Sequence, residues 1–333
     1  MSEIREDIIT GDHVVISSER GKRPHDFNHE ETTNKDDYCP FCYGNEDDTP
    51  PEITATSSNP NRKENEAGWD IRVIPNKFAA LDIDADLKRQ NGFYNKMTGV
   101  GAAEVLIESP DHEGSLGTHG LEHTIDIMRV LKERHDDLAQ DERLKYVQIF
   151  KNHGGTAGAS LEHPHWQIMS TPLIPTAIRG ELDGAEEYYS ENGNCVFCDI
   201  LTEETEKGSR IIEDTEEFTA FAPYASRYPF EMWIMPKEHQ HSLGQISEEQ
   251  LKDLVKVLQK MIRKLEVGFD NPPYNIVLHT APFLDGVEKK YHWHIEILPR
   301  LSINAGFELG TGNFINPTSP ELAAETVEDI TIE

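Results

Sequence analysis

The sequence predicts an α+β protein in which antiparallel sheets are flanked by helices and two similar halves share one chain. A length of 333 residues exceeds that of a usual single domain. Short strand-like runs outnumber the segments with helical periodicity. The same motifs also recur in the same order in the two parts of the chain. We therefore expect a first half at residues 1–175, a linker at 176–194 and a second half at 195–333.

Two segments show the apolar periodicity of amphipathic helices, residues 120–138 and residues 248–266. Ser247 stands three residues before Gln250, a spacing typical of a capping box, and it marks the start of the second helix. Neither segment contains a chemical motif, so both indicate ordinary helices that bury one apolar face.

Eight short runs have the composition of strands, and turn-forming residues separate them. The predicted strands are Asp70 to Pro75, Ala103 to Glu108, Tyr146 to Lys151, His165 to Met169, Phe218 to Ala222, Phe230 to Met235, Asn275 to Leu278 and Trp293 to Leu298. Residues 44–67, rich in polar residues and proline, predict a loop. Three glycines, at positions 180, 184 and 193, make residues 176–194 a predicted loop between the halves.

The internal repeat is found by aligning the halves on their two Cys-x-x-Cys pairs. Each pair is followed by strand-like sequence, a histidine, a helix, another strand and a His-x-His motif. The interval from His112 to His163 is 51 positions, and the interval from His239 to His292 is 53. Near-equal spacing of chemically similar residues indicates that the two halves have the same architecture.

Each half offers two thiols and two imidazoles from separated segments. The proposed ligands are Cys39, Cys42, His112 and His163 in the first half, and Cys195, Cys198, His239 and His292 in the second. Two Cys and two His are a ligand set for tetrahedral zinc, and a closed site of this kind has a structural role. In the second half, His279 and His294 are alternatives to His292.

The segment from Asn152 to Gln167 carries the candidate chemistry. Its three glycines within seven residues allow the backbone to approach an oxyanion, which favours phosphate binding. His163, His165 and Gln167 share one face of an extended segment. His163 can then bind metal, while His165 offers one ring nitrogen to a phosphorus atom and bonds a backbone carbonyl through the other. Gln167 can donate to a phosphoryl oxygen; alternatively, the motif only closes a metal site.

Charge excludes one class of partner. The formal net charge is −30, from 31 basic and 61 acidic residues, so binding to a nucleic-acid backbone is disfavoured. A small anionic nucleotide can still bind the local cations of the first half, which are Arg20, Lys22, Arg23, Arg72 and Lys77. The acidic excess suggests adaptation to a salt-rich cytoplasm. The sequence has neither an apolar run of membrane-spanning length nor a secretory leader, so we expect a cytoplasmic protein without a membrane partner.

Several motifs together resemble the galactose-1-phosphate uridylyltransferase family, the transferase branch of the histidine triad superfamily. They are Cys-Pro-Phe-Cys-x-Gly-Asn-Glu at 39–46, Ser-Pro-Asp-His at 109–112, the 152–167 segment and Gly-Phe-Glu at 306–308. The resemblance implies two fused histidine triad motifs and a homodimer whose sugar-phosphate sites lie partly across the subunit interface. It also implies zinc, with iron as an alternative in the second site.

The same resemblance implies a ping-pong reaction. His165 would attack the α-phosphorus of UDP-glucose, release glucose 1-phosphate and pass the bound UMP to galactose 1-phosphate. Histidine triad hydrolases carry His at the position of Gln167, so glutamine there favours transfer over hydrolysis.

Substrate-binding residues follow from the resemblance as well. Arg23, Asn76 and Lys77 would lie near the nucleotide, Asn152 and Ser160 near the phosphates, and Phe307 and Glu308 near the hexose. Ser302 and Phe307 stand where well-known uridylyltransferases have Lys and Tyr, which leaves the identity of the sugar phosphate open. Two alternatives to this reaction also stay open. One is an ADP-sugar or dinucleotide phosphorylase, and the other is a zinc-stabilised nucleotide-binding module without activity.

Overall fold

A computed structural model describes residues 3–17 and 38–332. The strands are β1 (Glu3–Glu6), β2 (His13–Ile16), β3 (Thr54–Thr56), β4 (Ile71–Pro75), β5 (Arg89–Gln90), β6 (Lys96–Met97), β7 (Ala103–Ile107), β8 (Tyr146–His153), β9 (His165–Thr171), β10 (Ile211–Asp214), β11 (Phe218–Phe221), β12 (Met232–Pro236), β13 (Tyr274–His279), β14 (His294–Pro299) and β15 (Phe314–Asn316). The helices are α1 (Leu121–Leu138), α2 (Thr176–Asn192), α3 (Val196–Lys207), α4 (Glu248–Gly268), α5 (Gly306–Thr311) and α6 (Pro320–Asp329). The predicted α+β class is confirmed.

The two halves share one antiparallel sheet of ten strands, in the order β10-β11-β12-β14-β13-β8-β9-β7-β4-β3. Each half contributes five adjacent strands, and β8 of the first half pairs with β13 of the second. Reading outward from this central pair, the strand connectivity of one half repeats in the other. The repeat found in the sequence is therefore an approximate twofold relation within a single sheet.

The main core lies between one face of this sheet and helices α1 and α4. Both helices lie where their periodicity predicts, and Ser247 and Gln250 form the predicted capping box. Trp166 and Ile168 of β9 point into this core, so their neighbours along the strand point to the opposite face. That opposite face carries the candidate functional residues.

Residues 176–192 form helix α2, so the predicted loop between the halves is wrong. The glycines in this segment have other roles than breaking a helix. A Cβ atom on Gly184 would lie 1.5 Å from the carbonyl oxygen of Ile9, so glycine lets the N-terminal segment pack against the helix. Gly193, with a φ of 76°, ends the helix in the left-handed conformation.

Smaller elements complete the fold. Strands β1, β2 and β15 form a three-stranded sheet, and β5 and β6 form a two-stranded one. Among the residues that the structure describes, no helix is both long and apolar enough to span a bilayer.

Candidate active site

His165 is the first residue of β9, and its strand neighbours define the site. It lies opposite Ile107 of β7, while Gln167 lies between Val105 and Phe150. Continuing the pairing of β8 with β9 places Asn152 beside His165 on the same face of the sheet. The structure thus brings together the predicted nucleophile, the predicted glutamine donor and one predicted phosphate ligand.

The orientation of the His165 ring agrees with a nucleophilic role. Its Nδ1 atom bonds the backbone oxygen of His163 at 2.8 Å, so the carbonyl holds the Nδ1-protonated tautomer and Nε2 keeps its lone pair. The side chain is buried, and Phe41 packs edge-on against it with ring centroids 5.6 Å apart. Burial lowers the pKa of His165, so the imidazole stays neutral and nucleophilic near pH 7.

The glycine-rich segment after β8 forms a tight turn. Gly154 and Gly158 have φ values of 80° and 90°, a left-handed conformation that favours glycine. The amides of Ala157, Gly158 and Ala159 donate to carbonyls within the turn, so these three groups are already paired. Ser160 is exposed just beyond them. The predicted approach to an anion therefore relies on side chains and on other backbone groups of the segment.

The first Cys/His group assembles as predicted. The potential ligand atoms of Cys39, Cys42, His112 and His163 all lie within 4.8 Å of one another. His163 directs Nδ1 at both thiols, and its Nε2 bonds the backbone oxygen of Ser109 at 2.8 Å. Burial and the adjacent Cys39 raise the pKa of the Cys42 thiol to about 11, whereas a divalent cation would favour both thiolates.

The second group has the same form. Cys195, Cys198, His239 and His292 also bring their potential ligand atoms within 4.8 Å of one another. Cys195 occupies the N-cap position of α3 and Cys198 lies in its first turn, so this pair of cysteines is at the start of a helix. The structure therefore assembles His239 and His292, and neither of the alternatives His279 and His294, with the cysteines.

His279 and His294 belong to a third buried cluster with Glu181 and Glu296. His279 Nδ1 lies 2.7 Å from a Glu181 oxygen, and Arg227 donates to Glu296 at 2.6 Å. Burial lowers the pKa of His279, but Glu181 and Glu296 outweigh it and raise that pKa to about 9. Arg227 also donates to Glu231 at 3.0 Å, so three buried carboxylates, of Glu181, Glu231 and Glu296, share the two cationic groups of His279 and Arg227. By the repeat, His294 and Glu296 occupy the places of His165 and Gln167, and here they lie in a buried cluster with His279 and Glu181.

The residues expected near the nucleotide lie along the first half of the sheet. Asn76 follows β4 and donates its backbone amide to Ala103, which pairs with Met169. Met169 is four residues along β9 from His165, a distance of roughly 13 Å. Lys77 is exposed and donates to the backbone oxygen of Asp48 at 3.0 Å. Arg23 lies outside the described residues.

Phe307 and Glu308, expected near the hexose, lie elsewhere in the fold. They belong to α5, which packs beside β15 in the small three-stranded sheet. Phe307 is about half exposed, and Glu308 caps its own helix by accepting from the Ala305 amide at 2.8 Å. Among the described residues, no hydrogen bond or ring contact joins either residue to His165.

A buried ion pair beneath the site was not identified in the sequence. Lys151 Nζ lies 2.5 Å from Glu108 Oε1, and both side chains are almost fully buried on the helix side of the sheet. The Glu108 amide donates to Pro164 at 3.1 Å, so the pair lies directly under the His-Pro-His segment. The sequence could have indicated this pair, because the alternation of side chains along β8 places Lys151 on the same face as the apolar core residues of that strand.

Comparison with known proteins gives consistent matches over the whole chain. Family models described as galactose-1-phosphate uridyl transferase, N-terminal domain and C-terminal domain, match residues 1–175 and 181–326. An ADP-glucose phosphorylase of Arabidopsis thaliana is 34% identical over 340 residues, covering 99% of this chain and 93% of that protein. A galactose-1-phosphate uridylyltransferase of Thermotoga maritima is 31% identical over 343 residues and is matched over 100% of both chains. The crystal structure of an ADP-glucose phosphorylase from Arabidopsis thaliana with bound ADP-glucose has a TM-score of 0.85 and 33% identity, with 100% of each chain covered.

Proposed function

Because the chain belongs to the galactose-1-phosphate uridyl transferase family, we propose that it moves a nucleoside monophosphate from a nucleotide sugar to an acceptor through a covalent bond to His165. Membership confirms the family resemblance and the enzyme class, a nucleotidyltransferase. The observation that carries the proposal is the His165 ring, which is fixed through Nδ1 and free to react through Nε2.

The reaction has two displacements at the same phosphorus atom. The Nε2 lone pair of His165 forms a bond to the α-phosphorus, and the bond from that phosphorus to the bridging oxygen breaks. The sugar 1-phosphate leaves with the electron pair. An oxygen of the acceptor phosphate then attacks, and the N–P electron pair returns to the imidazole. Gln167 and Asn152, on the same sheet face, can donate to the phosphoryl oxygens as their charge increases.

Uridylyl transfer between UDP-glucose and galactose 1-phosphate is the donor and acceptor pair that we propose first. Several relatives named galactose-1-phosphate uridylyltransferase, 25–31% identical to this chain, support it. ADP-glucose phosphorolysis is the second candidate, in which inorganic phosphate is the acceptor. The 34% identity to the plant ADP-glucose phosphorylase favours this alternative.

Zinc is the metal that we propose for both Cys/His groups. Thiolate and imidazole ligands suit Zn²⁺, and four protein ligands close the coordination sphere, so the role is structural. The first site would fix the His163 end of the catalytic segment. We also propose a cytoplasmic location, since the four cysteines form no disulfide and thiolate metal sites persist in reducing compartments.

The mass of the intact protein tests the covalent step and the base together. The protein is incubated with UDP-glucose alone or with ADP-glucose alone, and the mass increase is compared with that of UMP or AMP. We expect a UMP adduct that the His165→Ala variant lacks and that galactose 1-phosphate discharges. His153→Ala is the matched control, since His153 belongs to the same segment and stacks on Tyr274. An AMP adduct discharged by phosphate would instead support the second candidate, and no adduct with either donor would refute the covalent mechanism.

We further propose a homodimer in which each hexose site takes Phe307 and Glu308 from the partner subunit. The exposure of Phe307, together with the placement of α5 in the small sheet, supports this arrangement. Mixing inactive His165→Ala and Glu308→Ala variants is the test, after a brief exposure to mild denaturant that exchanges subunits. A shared site predicts that activity returns on mixing, whereas a site within one chain predicts that the mixture stays inactive.

A further inference from the structure

Asn275, in the second half of the chain, contacts the candidate active site of the first half. It lies directly opposite Asn152 where β13 pairs with β8. Its Nδ2 group donates to Asn152 Oδ1 at 2.8 Å and to the backbone oxygen of Ala157, in the glycine-rich turn, also at 2.8 Å. One side chain thus links the predicted phosphate ligand Asn152 to the turn that follows β8.

These two bonds define which way the amide of Asn152 faces. The Ala157 carbonyl can only accept, so the group of Asn275 that faces it is the NH₂ group. The same NH₂ group reaches Asn152, which must therefore present its oxygen to Asn275. The Nδ2 group of Asn152 is left facing the turn, where a Cβ atom on Gly158 would lie 3.7 Å from it. Asn152 accordingly offers a donor, and not an acceptor, on the side of the glycine-rich segment.

The approximate twofold relation provides a comparison within the molecule. Asn152 corresponds to His279, and the residues four positions earlier, Gln148 and Asn275, correspond to each other. Gln148 also bridges β8 and β13, since its Nε2 donates to the Leu278 carbonyl at 2.8 Å. Gln148 lies near the end of the sheet that carries the Glu/His cluster of the second half, four residues along β8 from Asn152 and away from the glycine-rich turn. Equivalent positions therefore hold similar amides, and the amide at position 275 contacts the catalytic segment.

We propose that Asn275 is a positioning residue for nucleotidyl transfer, which holds Asn152 with its NH₂ group directed at the phosphoryl oxygens and ties down the turn through Ala157. The inference rests on the proposed function and adds a residue from the second half to the site of the first. Asn275 acts through Asn152 and need not contact the substrate. A donor kept in place before the substrate binds does not have to be reoriented during the reaction.

Single-turnover formation of the His165 adduct is the measurement, with the nucleotide sugar that labels the wild type. We expect Asn275→Ala to lower the limiting rate by roughly 10- to 100-fold, while half-saturation by the donor changes by less than about threefold. Asn275→Asp should be slower still, because a carboxylate accepts and would turn the NH₂ group of Asn152 away from the substrate. Gln148→Ala is the matched control, since it removes an amide bridge between the same strands, and it should retain the wild-type rate.

A double-mutant cycle with Asn152→Ala separates positioning from general loosening of the sheet. If Asn275 acts through Asn152, then Asn275→Ala should lower the limiting rate of adduct formation much less in the Asn152→Ala background than in the wild type. Equal losses in both backgrounds, or a wild-type rate for Asn275→Ala, would overturn the inference. As a control for folding, the Asn275 and Asn152 variants should have the same thermal midpoints and zinc contents as Gln148→Ala. A wild type that forms no adduct would refute the proposed function itself, which is a different result from a wild type that reacts and an Asn275 variant that reacts equally well.

Discussion

Replacing Lys151 with methionine should destabilise the protein by leaving the Glu108 carboxylate buried without its ammonium partner. Glu108 is completely buried, and Lys151 Nζ lies 2.5 Å from it. Burial by itself raises the pKa of Glu108, but Lys151 and then His119 outweigh it and lower that pKa to about 2. Breaking a buried ion pair by removing one partner costs about 3–5 kcal/mol, because the remaining charge stays buried without compensation.

The pH dependence of this loss has a definite sign. In the wild type the folded-state pKa of Glu108 is depressed, so the pair stabilises the protein above the unfolded pKa. That stabilisation is lost as the pH falls from about 4.5 toward 2. In Lys151→Met, burial dominates and Glu108 takes up a proton at a higher pH. The difference in stability between the two proteins should therefore be largest near pH 7.5 and should narrow toward pH 5.

Urea unfolding of both proteins at pH 7.5 and pH 5, at equal zinc and salt, measures this difference. The double variant Glu108→Gln with Lys151→Met is the control, because it removes both charges and should recover part of the loss. The reasoning would be refuted by a difference below about 1 kcal/mol at pH 7.5, since such a value is typical of an exposed pair. A difference that is the same at both pH values would refute it as well.

Three further outcomes are expected. Cys39→Ser should lower the zinc content from two ions per chain to one, and it should reduce the free energy of unfolding by several kcal/mol. Metal analysis and urea unfolding measure these changes, and two retained ions would contradict the first zinc site. Gln167→Ala should slow single-turnover adduct formation about 100-fold at unchanged zinc content, because a donor to the phosphoryl oxygens is lost; a wild-type rate would remove that role. Raising KCl from 0.1 to 2 M should raise the thermal midpoint of unfolding by about 5 °C, because salt screens the repulsion among acidic side chains that a net charge of −30 implies. An unchanged midpoint would contradict adaptation to high salt.

The features that the sequence predicted best are those that lie close together in the chain or recur in both halves. His163 and His165 are two positions apart, so an extended segment fixes their relation, and the structure shows the expected bond from the His165 ring to a backbone carbonyl. The cap at Ser247 is local in the same way. The two Cys/His groups were visible because one spacing pattern occurs twice.

The features that were missed depend on contacts between distant segments. Asn275 lies beside Asn152 only because β13 joins β8, and nothing near either residue predicts that the sheets of the two halves are continuous. Gly184 suggested a loop, although its role is to admit the backbone of Ile9 against a helix. Spacing also could not separate His292 from His294, since both occur in one His-x-His motif and point into different clusters.

Because the two halves of the ten-stranded sheet belong to one chain, their sequences can differ at equivalent positions. In an assembly of two identical chains, a substitution beside one reaction centre is copied beside the other, so neither can specialise without its twin. In a single chain, a substitution in one half is not repeated in the other. The hydrogen bonds between β8 and β13 still hold the two halves in one sheet. Position 152 can then carry asparagine while its counterpart carries His279, and the second half can hold a buried Glu/His cluster where the first half carries the candidate active site.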